Sequence, residues 1–165
     1  MEIVPDKLTD FIHRELGENI AFLSDIPSRP PCLIISKERI AAVCRLLKDS
    51  DFAFDMLECI TGIDNGPGPK TMEVIYHLTS IPNEAQLALR VILDRTENEP
   101  LIIDSVCGVW KTAEWLEREV FDLLGIRFTG HPDLRRILLP HDWVGYPLRK
   151  DYKTDEYYHH VKIDY

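Results

Sequence analysis

Four cysteines stand in 165 residues, and no two of them form a CxxC pair. Cys32, Cys44, Cys59 and Cys107 each lie among apolar neighbours, so they read as small buried hydrophobes in a reducing compartment. An iron–sulfur or zinc site needs clustered ligands, and the chain has none in sequence. No HExxH pair occurs. The glycine-rich stretch Gly62–Lys70 lacks the GK[ST] of a phosphate loop, and its prolines remove donor N–H groups. No run is long and apolar enough to span a bilayer. Met1 to Asp6 has neither a basic n-region nor an apolar h-region. The expected topology is therefore cytoplasmic, with any membrane reached through a partner. A basic face is also missing. The net charge of −9 argues against general nucleic-acid binding.

That charge is uneven. Residues 130–153 carry five Lys/Arg against three Asp, and residues 154–165 carry one Lys against three acids. These two segments cancel, so the rest of the chain holds the whole −9. An acidic body with a mildly basic tail suits an acidic partner or an intramolecular contact.

The composition is globular, 45% hydrophobic and 28% charged, and the length fits one domain. Asp6 to Leu16 reads as a helix with a Leu8/Phe11/Ile12/Leu16 stripe, stopped by Gly17. Ile20–Leu23 and Cys32–Ile35 read as strands. Ser36 is placed to cap a second helix whose Ile40, Val43, Leu46 and Leu47 face inward. Phe54–Ile63 stays open between a strand, with Asp55, Leu57, Cys59 and Thr61 on one face, and a helical first turn. Met72–Leu78 and Leu87–Leu93 alternate and predict an antiparallel pair. Leu101–Ile103 adds an edge strand. The expected fold is α+β: residues 1–129 form a domain with helices packed on one face of a mixed, largely antiparallel sheet. Residues 130–165 form an extended irregular C-terminal tail, not an independent domain.

The stretch Glu117–Asp151 organises the chain. It begins inside a helix. Thr112 is its expected N-cap, Leu116, Val120, Leu123 and Leu124 its stripe, and Gly125 its left-handed stop. Glu119 falls at the edge of that stripe and should pair with a tail arginine. Ile126–Phe128 makes a short strand, and Gly130-His131-Pro132 turns the chain. Leu134, Ile137 and Leu138 recur at helical spacing, but Pro140 and Pro147 forbid a continued helix. From Pro140 on, Trp143, Tyr146, Leu148, Tyr152, Tyr157, Tyr158 and Tyr165 appear without a core-forming period. Such a segment docks on something. Glu117, Glu119, Asp122 and His131 are candidates for an acid/base or metal site. Glu117 and Asp122 diverge by roughly 140° around a helix, however, which favours capping and pairing with Arg135, Arg136 or Arg149.

At these residues the chain resembles the C-subunit (thirty-kilodalton) family of respiratory complex I, the NADH-quinone oxidoreductase. The matching residues are Glu117-Arg118-Glu119, Asp122-Leu123-Leu124, His131, Arg135 and Ile137. Asp142-Trp143 and Gly145–Tyr152 resemble that family's continuation, and the likeness runs upstream through Phe54–Leu57, Met72–Leu78 and Ser105-Val106. It covers roughly residues 50–152.

The resemblance implies a non-catalytic subunit of the hydrophilic arm that binds no cofactor of its own. FMN and iron–sulfur clusters would belong to other subunits. It implies docking through the tail on the D-subunit (forty-nine-kilodalton) family member. The expected contacts are His131, Pro132, Arg135, Arg136, Trp143, Pro147, Leu148, Arg149, Lys150, Asp151 and Tyr152, with Glu117, Arg118, Glu119 and Asp122 as scaffold. The same likeness leaves open the equivalent subunit of a membrane-bound hydrogenase, a coenzyme F420H₂ dehydrogenase or a ferredoxin-dependent NDH-1 complex. A free-standing small enzyme is the contrasting class. It should show a closed polar pocket, whereas an assembly subunit should show a tail ordered only with its partner.

Overall fold

The computed structural model describes residues 5–25, 27–96 and 100–163. Residues 1–4, on which the leader expectation rests, lie outside that set. Helix α1 (Pro5–Leu16) ends at Gly17, whose φ of +104° is the left-handed stop expected there. Leu8 and Ile12 are fully buried, one turn apart. Strands β1 (Ala21–Leu23) and β2 (Cys32–Ile35) pair antiparallel. A short 3₁₀ turn then leads into α2 (Ile40–Asp49), which buries Ile40, Val43, Cys44 and Leu47. Ser36 makes no cap; its hydroxyl donates to the Asn19 carbonyl instead.

The sheet's centre is β3 (Met56–Asp64), β4 (Thr71–Ser80) and β5 (Ala85–Asp94), with strand order β1-β2-β5-β4-β3. Every pairing is antiparallel except β2 with β5. The sheet is therefore mixed and largely antiparallel, and helices cover one face. Met72, Val74, Tyr76 and Leu78 of β4, and Leu87, Leu89, Val91 and Leu93 of β5, all enter the core. The opposite face carries the Arg90–Glu73 ion pair and leaves Phe22 and Ile92 partly exposed.

β3 is a strand, which closes the question left open for Phe54–Ile63. It does not alternate cleanly. A bulge between Leu57 and Cys59 shifts the register, so Leu57 and Ile60 face the core while Cys59 and Thr61 face away. The strand also runs three residues into the stretch read as loop, ending at Asp64.

β6 (Ile102–Asp104) is not an edge of the main sheet. It pairs parallel with β7 (Arg127–Thr129) in a sheet of its own, flanking α3 (Ala113–Leu124). Thr112 makes no side-chain cap. Gly125 closes α3 at φ +74°, with its N–H on the Phe121 carbonyl. Gly62 explains how close α3 lies to β3. A Cβ there would stand 2.3 Å from Leu124 Cδ1 and 3.0 Å from Val120 Cγ1. Asp133–Leu139 forms turns rather than helix, and the final β8 (Tyr157–Tyr158) and β9 (Val161–Lys162) make a small hairpin.

Candidate functional site

Helix α3 is buried on two faces. Ala113, Glu117, Val120 and Leu124 recur on the face toward the sheet. Arg118 and Asp122, roughly 150° around the helix, lie beneath the tail. Three ionisable side chains in one 12-residue helix are thus taken from water, and each must be satisfied within the chain.

Glu117 fixes the approach to the helix. It accepts from the Val106 N–H at 2.7 Å, from Ser105 Oγ at 2.7 Å and from Cys107 Sγ at 3.3 Å. Burial pushes its carboxyl above the ordinary glutamate range, and these donors offset only part of that. The same burial lifts the Cys107 thiol to about 12. Arg118 reaches the other way. Its Nε donates to the Arg135 carbonyl and its Nη2 to that of Arg136, each at 3.0 Å, while its guanidinium lies over the Trp115 ring.

Asp122 is fully buried and holds the tail directly. Its Oδ2 accepts three successive backbone N–H groups, from Ile137 at 3.0 Å, Leu138 at 2.7 Å and Leu139 at 2.9 Å. Its Oδ1 takes Arg136 Nη1 at 2.7 Å. Burial works against the carboxylate, but the amides and Arg136 more than offset it and hold its pKa below the ordinary aspartate value. The other edge of the Arg136 fork donates to the carbonyls of Trp143 at 3.0 Å and Gly145 at 2.9 Å.

The rest of the tail is tied down in the same manner. His131 bridges its turn to α3. One ring nitrogen bonds the Glu114 carbonyl at 2.9 Å and the other accepts from the Asp133 N–H at 2.9 Å. The Leu148 N–H donates to the Leu123 carbonyl at 3.1 Å. Arg149 donates through Nε to the Leu124 carbonyl at 2.7 Å and covers the Tyr146 ring, which Arg136 also approaches. The Lys150 N–H reaches Asp64 Oδ2 at 2.8 Å, and Arg95 bridges Asp64 to Asp151. Trp143 packs against Tyr158, and the Tyr152 ring lies on Gly145, where a Cβ would be 2.8 Å away.

The residues singled out from sequence therefore divide. Arg136, Arg149, Asp151 and His131 use their polar groups inside the chain. Arg135, paired with neighbouring Asp133, remains exposed, as do Pro132, the Lys150 side chain and Leu148. Trp143, Pro147 and Tyr152 are half-buried. Glu119 is exposed and takes no tail arginine; Asp122, three residues on, has that role. The expectation of a tail ordered only by a partner also changes, because the chain supplies anchors of its own. Among the side chains the tail turns outward are three aliphatic ones: Leu138, Val144 and Leu148 are 61%, 73% and 57% exposed, and the backbone N–H groups of Leu138 and Leu148 make the attachments to Asp122 and Leu123.

Sequence reasoning missed Ser105, Cys107, Asp64 and Arg95. Asp64 had a local signal, the Asp-Asn-Gly turn in which the Gly66 N–H donates to its own side chain. Ser105 stood in the resemblance as Ser105-Val106 but without a role, and Cys107 and Arg95 had no signal, since only the fold brings them near. Cys107, Glu117 and His131 do converge, with one potential ligand atom each within 4.8 Å of the others. Both His131 nitrogens are already committed, so a metal there would have to break one of those bonds. A shallow groove of about 250 Å³ runs beside Val144, Tyr146, Arg149 and Tyr152.

The chain is thus a one-sided α+β domain with its C-terminal segment bound along the last long helix. Residues 33–158 match the family model for the respiratory-chain NADH dehydrogenase 30 Kd subunit, and the chain belongs to that family. Its relatives include the NADH-quinone oxidoreductase C subunit of Geotalea uraniireducens (strain Rf4), 50% identical over 121 residues, covering 73% of this chain and 71% of the relative. The corresponding protein of Chloroherpeton thalassium is 36% identical over 93% of this chain and 63% of the relative. That of Chlorobium phaeobacteroides is 35% identical over 94% and 93%. Among solved structures, the trypsin-resistant fragment (1-134) of Nqo5 aligns at 28% identity with a TM-score of 0.62, over 77% of this chain and 99% of that one. A chain of an archaeal membrane-bound sulfane sulfur reductase shares the fold, with a TM-score of 0.68 over 90% and 85%, at 21% identity.

Proposed function

We propose that this chain is a cofactor-free, non-catalytic subunit of the peripheral arm of a proton-translocating NADH-quinone oxidoreductase. It docks on the D-subunit (forty-nine-kilodalton) family member through the outward side of its tail. FMN and iron–sulfur clusters sit in other subunits, and the complex holds this one on the cytoplasmic side of the cell membrane. In this reading attachment to the membrane runs through partners. No described helix is long and apolar enough to cross a membrane.

The observation that carries this reading is the family match over residues 33–158, which includes most of the tail. The geometry supports it by supplying a presentation surface. Leu138, Val144 and Leu148 face solvent from a backbone that buried groups hold in place. Exposed aliphatic side chains on a pre-ordered frame bind with less ordering cost than a free peptide. Exposed Arg135, Lys150 and Lys153 stand beside exposed Asp133, Asp142 and Asp151, so the rim offers charges of both signs for a partner to match.

Tagged purification from gently solubilised membranes tests the proposal. Flavin and iron–sulfur subunits should co-purify, together with NADH-quinone reduction. The double substitution Val144→Asp and Leu148→Asp should lower recovery of the D-subunit partner at least about tenfold, because a charge buried in an apolar contact costs more than about 1.4 kcal/mol. Normal assembly of that variant would refute the docking face. Recovery with hydrogenase or deazaflavin-linked subunits would keep the scaffold role and change the electron donor. A lone monomer with activity of its own would overturn the reading.

A further inference from the structure

Three successive backbone N–H groups converging on one oxygen form an anion-binding nest, and a guanidinium beside it completes the site. In this chain residues 137–139 and Arg136 build that arrangement, and the anion within it is the carboxylate of Asp122, 14 to 17 residues upstream. We propose that residues 136–139 are a carboxylate-binding nest whose resident ligand is Asp122, and that this contact is the latch fastening the tail to the body before any partner arrives.

Several features support a latch rather than one bond among many. Asp122 has no exposure, so water competes little for its oxygens. It is the one carboxylate, among the described residues, through which both the 137–139 backbone and the 143–145 backbone are held, the latter by way of Arg136. Removing the carboxylate leaves three N–H groups facing one point and a guanidinium without its counter-charge. The nearby Arg118 bonds to the Arg135 and Arg136 carbonyls keep the entrance of the nest in place. The proposal concerns the isolated chain, so it stands or falls apart from the identity of the docking partner.

The test uses the full chain and three variants. The readouts are the rate of trypsin cleavage after Arg135 and Arg136, and the amide resonances of Ile137, Leu138 and Leu139. Asp122→Asn keeps the shape, removes the charge and replaces an acceptor with a donor. It should raise cleavage in the tail roughly tenfold or more while the body stays resistant, since hydrogen bonds to a charged group are the stronger kind. Asp122→Ala keeps the helix and opens a carboxylate-sized hole. Formate added to this variant should slow cleavage again and shift the three amides, whereas neutral formamide at the same concentration should do neither. Glu119→Asn, one turn away and exposed, should leave cleavage at the wild-type rate. Equal cleavage of wild type and Asp122→Asn would overturn the latch. An opened Asp122→Ala tail that formate leaves unchanged would overturn the nest as an anion site.

Discussion

Glu117 and Glu119 stand two residues apart and differ in almost every physical respect. Glu117 is fully buried and accepts three hydrogen bonds; Glu119 is exposed. An ordinary glutamate ionises near pH 4.3, and burial holds the proton on Glu117 to higher pH. Between those two values the folded chain binds more protons than the unfolded chain. Stability from this group is therefore fully present below about pH 4.3 and is lost as pH rises through the folded value. Glu117→Gln should flatten that slope, as read by urea unfolding across pH 4.5 to 8. Glu119→Gln should stay within about 0.5 kcal/mol of wild type throughout, as surface substitutions do. Asp122 has the opposite sign. Its carboxyl is held below the ordinary value, so its contribution is present above about pH 4 and is lost only as pH falls through the lower folded value.

At the scale of elements, the regular pieces were legible and the irregular ones were not. The alternation in 72–78 and 87–93 predicted two core-facing strands, and both form with the expected faces. The glycine stops after α1 and α3 were also readable, because only glycine takes those backbone angles freely. Strand β3 defeated the period because one bulged residue inverts every side chain beyond it. The helical spacing of Leu134, Ile137 and Leu138 was overruled from outside. Asp122 takes the N–H groups of 137–139, which a helix would leave to its own first turn or its own carbonyls. Asp122 pairs with Arg136, as the reading of the α3 carboxylates allowed, but the specific expectation for Glu119 failed for a similar reason. Periodicity locates a helix's face toward the core but carries no record of a second face covered by another segment. Gly62 gives this level its sharpest test. Gly62→Ala sets a methyl into the seam between β3 and α3 and should cost about 1–3 kcal/mol in denaturant unfolding, the usual penalty of overpacking.

For the whole molecule, the division between anchoring and presentation matters most. The charged tail residues that looked like contacts for a partner mainly hold the tail to its own domain, and aliphatic ones are left outside. Arg149→Glu should therefore act before any partner is involved. It puts a carboxylate beside the Leu124 carbonyl and removes the cation from the Tyr146 ring. The isolated variant should show faster tail proteolysis and altered Trp143 fluorescence, with the body's unfolding midpoint nearly unchanged. An undisturbed tail would show that Arg149 holds nothing on its own domain.

Arg95, Asp64 and Lys150 add a consequence in time. The Lys150 N–H bonds a carboxylate 86 residues earlier in the chain, and Arg95 meets Asp151 across 56. The receiving groups, Asp64, Arg95, Asp122 and Leu124, have all been synthesised before residue 130 is made. The sheet and its helices therefore precede the tail in synthesis, and the tail meets its anchors at Asp122, Leu124 and Asp64 in the order in which it leaves the ribosome.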